Sequence, residues 1–221
     1  MNQNTGTIGR KLGMTQIFNP NGTVDRVTLI EAAAVIVGKR TMAKDGYSAL
    51  ILGLGERLER HTNQPLAGMY KKANMTPKRE LRELRVSEEF AAGFEVGQKL
   101  GLDKVFEVGQ FVDVQGTTVG RGFSGVMRRH HFKGAGSTHG THEYKRHGGA
   151  IGTNMTPGRT LPGVGMPGQH GNKLRTTLNQ RIVRILADQD ILMVLGAVPG
   201  THKGLVFVRG AVKKNGGRPK A

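Results

Sequence analysis

Apolar residues fall along this chain in short runs separated by glycine-rich turns, and the runs predict strands. Thr23 to Glu31 alternates and then turns apolar, with Val24, Val27, Leu29 and Ile30. Val35 to Val37 and Tyr47 to Leu52 follow, the second introduced by an Asp45-Gly46 turn signal. Phe111 to Val114 predicts another strand. Arg181 to Ala187 and Ile191 to Leu195 flank Asp188-Gln189-Asp190 and predict a hairpin, and Leu205 to Val208 closes the series after Pro199-Gly200. Short strands rich in Val and Ile, punctuated by glycine, imply a mainly β protein with some α, built as a small barrel or a sandwich.

The pattern changes in the middle. Leu66, Met69, Tyr70 and Ala73 lie at i, i+3, i+4 and i+7 just after Pro65, one face of a short helix. Arg79 to Arg85 is charged, with Leu81 and Leu84 three apart, so roughly 56–100 is expected to be a mixed insert. The pentad Phe-Glu-Val-Gly-Gln occurs at 94–98 and again at 106–110. One short echo does not make a repeat architecture; two similar strand-turn pieces, or chance, account for it.

Residues 117–178 fit neither template. Single apolar residues (Phe123, Val126, Met127, Phe132, Ile151, Met155, Leu161, Met166) are spaced through Gly and Arg. Structureless stretches beyond ~12–15 residues are uncommon in compact domains and are usually functional or disordered. Charge sharpens the reading. The 221-residue chain carries a formal +17, and 117–178 holds nine Lys or Arg against the single acid Glu143. The remaining residues hold 24 Lys or Arg against 15 acids over a much longer stretch. The basic excess is therefore concentrated, as in a binding arm that orders on a polyanion, and a nucleic acid is the partner it implies. Glu143 is expected to pair with Arg146 or Lys145.

Composition removes other classes. There is no cysteine, hence no disulfide or thiolate chemistry. No apolar run approaches the ~20 residues needed to span a bilayer as a helix. Met1 to Gly9 lacks the apolar region of a signal peptide, and no Trp-anchored amphipathic helix offers membrane attachment. A cytoplasmic protein is expected.

Gly120-Arg121-Gly122-Phe123-Ser124-Gly125 matches G-x-G-x-x-G after a strand. A dinucleotide site also needs a following helix and an acid closing a second strand about 20 residues on. Val126 to Gly134 leaves little room for that helix, and Glu143 has no apolar strand around it. His139, His142 and His147 suggest a metal site, but His142-Glu143 is followed by histidine five residues on, which breaks the helical face that metal ligation needs. No cofactor is expected. Glycine permits positive φ and close backbone approach to phosphate. Arg adds a planar fork for phosphate or base, and histidine can reach phosphate or 2′-hydroxyl groups. An isolated Lys such as Lys99 is expected simply to face solvent. The basic tail Lys213 to Lys220 reads equally as a solvated end or as a second RNA contact.

Taken in order, these segments resemble the bacterial ribosomal protein L-three family. The resemblance rests on Ile8 to Phe18, on Gly116-Thr117 leading into Gly120 to Arg129, and on Ser137 to Gly140, Gly149 to Gly152, Thr156 to Arg159, Met166 to Gln169 and Gly196 to Gly200. It implies a translation-protein-type β-barrel with a mixed α/β insert and a long irregular arm. The implied divisions are barrel at 1–55, insert at 56–100, a barrel strand at 101–116, the arm at 117–178, and the rest of the barrel with the tail at 179–221. It further implies a structural constituent of the large ribosomal subunit, not an enzyme. Such a protein binds near the 3′ end of the large-subunit rRNA, nucleates assembly and extends its arm toward the peptidyl-transferase centre.

On that reading the rRNA-binding residues are Arg121, Arg128, Arg129, His130, Lys133, His139, His142, Lys145, Arg146, His147, Arg159, His170, Lys173 and Arg175. Many relatives carry Trp where His130 stands. Implied protein neighbours are the large-subunit proteins L-fourteen and L-nineteen, and Gln169 is implied as a substrate of a glutamine N5-methyltransferase. The competing classes are a metal- or nucleotide-dependent enzyme built on the histidines and glycines, and a free translation factor or DNA-compacting protein.

Overall fold

In the computed structural model, which describes residues 5–214, the chain is mainly β. Six antiparallel strands close a barrel: β1 (Gly6–Phe18), β2 (Val24–Glu31), β6 (Phe111–Thr117), β9 (Leu174–Leu186), β10 (Ile191–Leu195) and β11 (Leu205–Gly210). Their order around the barrel is β1-β11-β6-β9-β10-β2, with β2 pairing back to β1. Alternation explains the interior. Ile8, Val27, Ile30, Val112, Val114, Ile182, Leu192, Val194, Val206 and Val208 are fully buried, while Leu205, Phe207 and Gln115 on the same strands are only partly so.

The strand β1 carries almost no such alternation and is absent from the strands that the apolar pattern predicts. Its buried start, Gly6 to Gly9, has Ile8 as its one large apolar side chain, flanked by glycine. A Cβ on Gly6 would stand 2.6 Å from the Val208 carbonyl oxygen, and one on Gly9 2.6 Å from that of Glu31. Neighbouring backbone, not side-chain volume, fills those positions, and a bulge between Lys11 and Gly13 then re-sets the register with β2.

The strands β3 (Val35–Arg40) and β4 (Ala49–Glu56) leave the barrel. They form a three-stranded sheet with β5 (Lys78–Arg85), in the order β3-β4-β5. This differs from the expected layout in two ways. Residues 35–55 are not barrel strands, and the charged Arg79 to Arg85 run is a strand. Charge is tolerated there because β5 pairs on one side only, and Leu84 alone of its residues is buried. Arg40 pairs with both Asp45 and Glu83, and the Glu83 carboxylate also accepts from the Tyr47 hydroxyl. The predicted helix is present as α2 (Gln64–Lys72), after α1 (Met42–Asp45), with Pro65 in its first turn and Tyr70 as its buried contact. One apolar cluster joins this sheet to the barrel through residues such as Ile8, Leu50, Leu52, Leu84, Phe94, Leu100, Phe106 and Val114.

The echoed pentad is a true local repeat. Each copy follows a short helix, α3 (Glu88–Ala92) or α4 (Leu102–Val105), and begins with a buried Phe94 or Phe106. Gly97 and Gly109 then take φ of +92° and +85°. In each turn the Gln amide oxygen accepts from the Glu backbone N–H, at 3.1 Å for Gln98–Glu95 and 3.0 Å for Gln110–Glu107. Positive φ at the glycine and a side-chain acceptor three residues on specify the same turn twice.

Lys99 is exposed, as expected, and its ammonium also pairs with Asp190 at the β9–β10 turn. Asp113 is buried at the irregularity where β6 skips a pairing with β9 between Val112 and Val114. Its Oδ1 accepts from the Asn179 N–H at 2.9 Å and its Oδ2 from the Val212 N–H at 3.2 Å. The Lys214 ammonium lies 4.1 Å above the Phe111 ring. The rest of the basic tail, residues 215–221, lies outside the described residues.

Candidate nucleic-acid interface

The chain divides into two compact units. One contains the barrel and the three-stranded sheet, up to Thr118 and again from Leu174; the other is Val119–Lys173. The second is shorter than the expected 117–178. Thr117 and residues 174–177 are ladder partners of β6 and β9, with Thr117 opposite Leu174 and Gly116 opposite Arg175. The Thr-rich start of β9 hid a strand, and Arg175 belongs to the barrel unit.

The root of the 119–173 unit is a small ribbon. Its strands are β7 (Phe123–Ser124) and β8 (Gly168–Gln169). The pairing extends through Arg121 N–H to His170 O at 2.8 Å and His170 N–H to Gly122 O at 2.9 Å. The helix α5 (Val126–His130) follows directly, so the glycine hexad does precede a helix, though one of five residues. Its C-cap, His131, is left-handed at φ +61°.

The returning segment packs on α5. The Arg129 guanidinium donates to the Met166 carbonyl at 2.6 Å, and His130 Nε2 lies 3.1 Å from the same oxygen. Gly165 and Gly168 make room. A Cβ on Gly168 would meet Arg129 Nη1 at 2.6 Å, and one on Gly165 the His130 and Phe132 rings at 3.1 Å. His130 thus spends a ring nitrogen inside the protein and sits 6.1 Å from Phe132.

Gly171 closes the root. It has φ +72°, and a Cβ there would stand 2.0 Å from the Val119 carbonyl oxygen. Gly171→Ala therefore meets both a left-handed backbone, worth at least ~1–2 kcal/mol, and a clash with main chain. We expect the amides of Arg121 and His170 to lose hydrogen-exchange protection while β6 and β9 keep theirs. Unchanged protection at both amides would refute this.

Beyond the root there is almost no interior. Only Ser124 and Val126 of this unit are buried, and from Lys133 to Val164 every residue but Thr141 is exposed. Local hydrogen bonds shape the stretch. Thr141 Oγ1 donates within 136–141, Ala135 N–H reaches Lys145 O, and Thr153 Oγ1 reaches Thr156 O. His142 to Arg146 forms a 3-10 turn, and Tyr144 stands edge-on to His147 at 4.9 Å.

Of the fourteen residues expected to touch RNA, twelve are exposed; Arg129 and His170 are half-buried. Glu143 joins neither Lys145 nor Arg146 in an ion pair. His139, His142 and His147 are not gathered into a ligand set among the described residues. The isolated apolar residues Phe123, Met155 and Ile151, noted in the sequence but not counted among the contacts, are exposed, at 78% for Phe123 and 87% for Met155, and so is Tyr144, which the pattern does not pick out. Their signal is isolation, since each is an apolar residue among Gly and polar neighbours with no periodic partner.

His170 is the one titrating group in this unit with a clear displacement. Burial, and then the charges of Arg121, Arg128, Arg129 and His131, hold its imidazole below the ordinary 6.5. Its Nδ1 is enclosed without a hydrogen-bond partner.

The sequence model of the family described as Ribosomal protein L3 matches residues 70–190, more than half of the chain. This chain belongs to the ribosomal protein L3 family. A protein of Sorangium cellulosum named Large ribosomal subunit protein uL3 is 59% identical, covering 99% of this chain and 94% of its own length. Proteins of the same name from Myxococcus xanthus and Leifsonia xyli are 48% and 44% identical, each covering 94% of this chain. The L3 match takes in β5, β6 and the whole 119–173 unit, so the exposed basic segment is part of what defines the family resemblance and not an appendage to it.

Proposed function

We propose that this L3-family chain is a structural constituent of the large ribosomal subunit, acting by binding large-subunit rRNA in the bacterial cytoplasm. One observation carries the reading: a basic segment from Lys133 to Val164 that is exposed throughout except at Thr141, with exposed apolar side chains among its cations. A chain does not hold such a surface against water for its own stability. Arg and Lys neutralise phosphates, isolated apolar and aromatic groups meet bases, and glycine lets backbone approach. The finer assignment follows the family resemblance. The barrel docks near the 3′ end of the rRNA and nucleates assembly, the 119–173 segment runs toward the peptidyl-transferase centre, and proteins L-fourteen and L-nineteen are neighbours. The reacting groups are RNA, so no catalytic residue is assigned to the chain.

Gln169 fits the role of a methylated glutamine because its side chain is exposed on β8, accessible to a glutamine methyltransferase before assembly. Sedimentation of lysates followed by digestion of the large-subunit fraction tests both levels. Constant comigration with large subunits supports the main reading, and a pool chiefly free or on DNA overturns it. A Gln169 peptide that never carries an added methyl removes the modification.

Affinity for an rRNA fragment should also fall steeply with salt, with a log–log slope of about −0.7 to −0.9 per phosphate neutralised. A near-flat dependence would rule out an electrostatic interface.

A further inference from the structure

The three-stranded sheet ends on β5, and the barrel wall beside that end is apolar. Val86 donates its N–H to the Ser48 carbonyl at 3.3 Å, continuing the β4–β5 ladder. Antiparallel strands turn the main-chain groups of alternate residues to alternate sides. Arg82 and Leu84 therefore face β4, and Leu81 and Glu83 present their N–H and C=O groups on the open side. Among the described residues neither makes a main-chain hydrogen bond outside that ladder. An open edge is a template for another strand.

A groove of about 380 Å³ lies beside this edge. Its lining brings Arg82 and Glu83 of β5 together with Leu205 and Phe207 of β11 and Leu174 at the start of β9. Leu205 and Phe207 alternate with the interior residues Val206 and Val208, so they face out of the barrel. Leu174 is 63% exposed. Edge and floor belong to the same compact unit.

Three properties define an occupant. Open N–H and C=O groups at strand spacing call for a second extended main chain, as in strand addition to a sheet edge. An apolar floor calls for apolar side chains at every second position, since those alone point down. The charge of the edge calls for acids between them. The strand β5 carries four Lys or Arg and two Glu. Lys78 pairs with Glu56, and the Glu83 carboxylate is held by Arg40 at 3.2 Å and by the Tyr47 hydroxyl at 2.8 Å. Arg79 and Arg82 are exposed and have no ion-pair partner among the described residues.

We propose that the β5 edge and the groove beside it form a docking site for an extended segment of a partner protein in which apolar and acidic residues alternate. The segment adds a fourth strand to the sheet, lays its apolar face on Phe207, Leu205 and Leu174, and sets acids beside Arg79 and Arg82. RNA fits less well. Its phosphates could take the two arginines, but a sugar-phosphate chain does not match a strand's alternating donors and acceptors, and two glutamates stand among the arginines of β5. The site uses no residue of the 119–173 unit and does not rest on the rRNA-binding reading.

The probe is a short capped peptide alternating valine and glutamate, titrated into the full-length chain and followed by amide hydrogen exchange. Bound peptide should slow exchange at Leu81 and Glu83, whose N–H groups it covers, and leave Leu84 as it was. Methylating the peptide nitrogens that face β5 keeps charge and apolar content and should abolish binding, while methylating the alternate set should not. Arg82→Glu should weaken binding about fivefold, and Leu174→Ser, at an exposed position, by about the same factor. A valine–lysine peptide should not compete. Protection confined to 119–173, equal binding of the two methylated peptides, or no binding at millimolar peptide overturns the site. Slowed exchange at Leu81 and Glu83 with a capped oligouridylate in place of the peptide would assign the edge to RNA and overturn it as well.

Discussion

Replacing residues 118–173 with an Asn-Gly pair is expected to yield a folded barrel that no longer enters large subunits. The geometry of the excision is favourable. Thr117 and Leu174 are directly opposed partners in the β6–β9 ladder, so a two-residue turn joins them as an ordinary hairpin. The apolar cluster that spans the barrel and the three-stranded sheet contains no residue of the removed segment. The shortened chain should therefore melt cooperatively, within a few degrees of the parent, and retain its β-rich circular dichroism. It loses Arg121, Arg128, Arg129, Arg159, Lys133, Lys145, Arg146, Lys173 and the histidines between them, most of the concentrated charge. Every phosphate left without its cation subtracts from a strongly salt-dependent binding free energy, so recovery in the large-subunit fraction should drop to background. Normal recovery of a folded shortened chain would show that the barrel alone suffices and that the exposed segment does not anchor the protein.

The strands legible in the sequence are those whose interior is made of Val and Ile. Val24 to Glu31, Ile191 to Leu195 and Leu205 to Gly210 all appear close to their predicted bounds. Three others are hidden, each for its own physical reason. The strand β1 buries Ile8 between Gly6 and Gly9, where close backbone approach replaces side chains, and one apolar residue leaves no alternation to read. The first half of β9 faces outward with Thr and Arg. The strand β5 is an edge with charge on both faces and one buried residue, Leu84.

The candidate interface is legible as composition, because an acid-poor run of Gly, Arg and His is unusual in itself. Its internal economy is not. Nothing in the spacing of Arg129, His130 and Met166 announces that two predicted RNA-binding side chains converge on one carbonyl oxygen. Gly165 and Gly168, flanking that carbonyl, are the available clue, since glycine on both sides of a residue permits close packing as well as close approach to phosphate. The same ambiguity surrounds Gly171, whose purpose is the Val119 carbonyl and not a ligand.

Asp113→Ala should be the most destabilising single change in the barrel that leaves its apolar core intact. The carboxylate is 1% exposed and accepts from two backbone N–H groups that have no ladder partner of their own. One, Asn179, sits at φ +55° where β9 bulges away from β6; the other, Val212, leads from β11 into the tail. Ala leaves both donors without the acceptor, at ~1–3 kcal/mol each, against a total stability of ~5–15 kcal/mol for a typical domain. Asp113→Asn separates the two hydrogen bonds. The amide oxygen can still accept from one N–H while its NH₂ faces the other, so roughly half the loss is expected. Equilibrium urea unfolding gives the magnitudes, and hydrogen exchange at Val212 reports whether the start of the tail has been released. That release would matter beyond stability, because the clamp holds the segment from which Lys214 reaches the Phe111 ring. A stability change for Asp113→Ala within about 0.5 kcal/mol, the range of ordinary surface substitutions, would mean that the bulge and the tail are held by their own ladders and that the buried carboxylate is incidental.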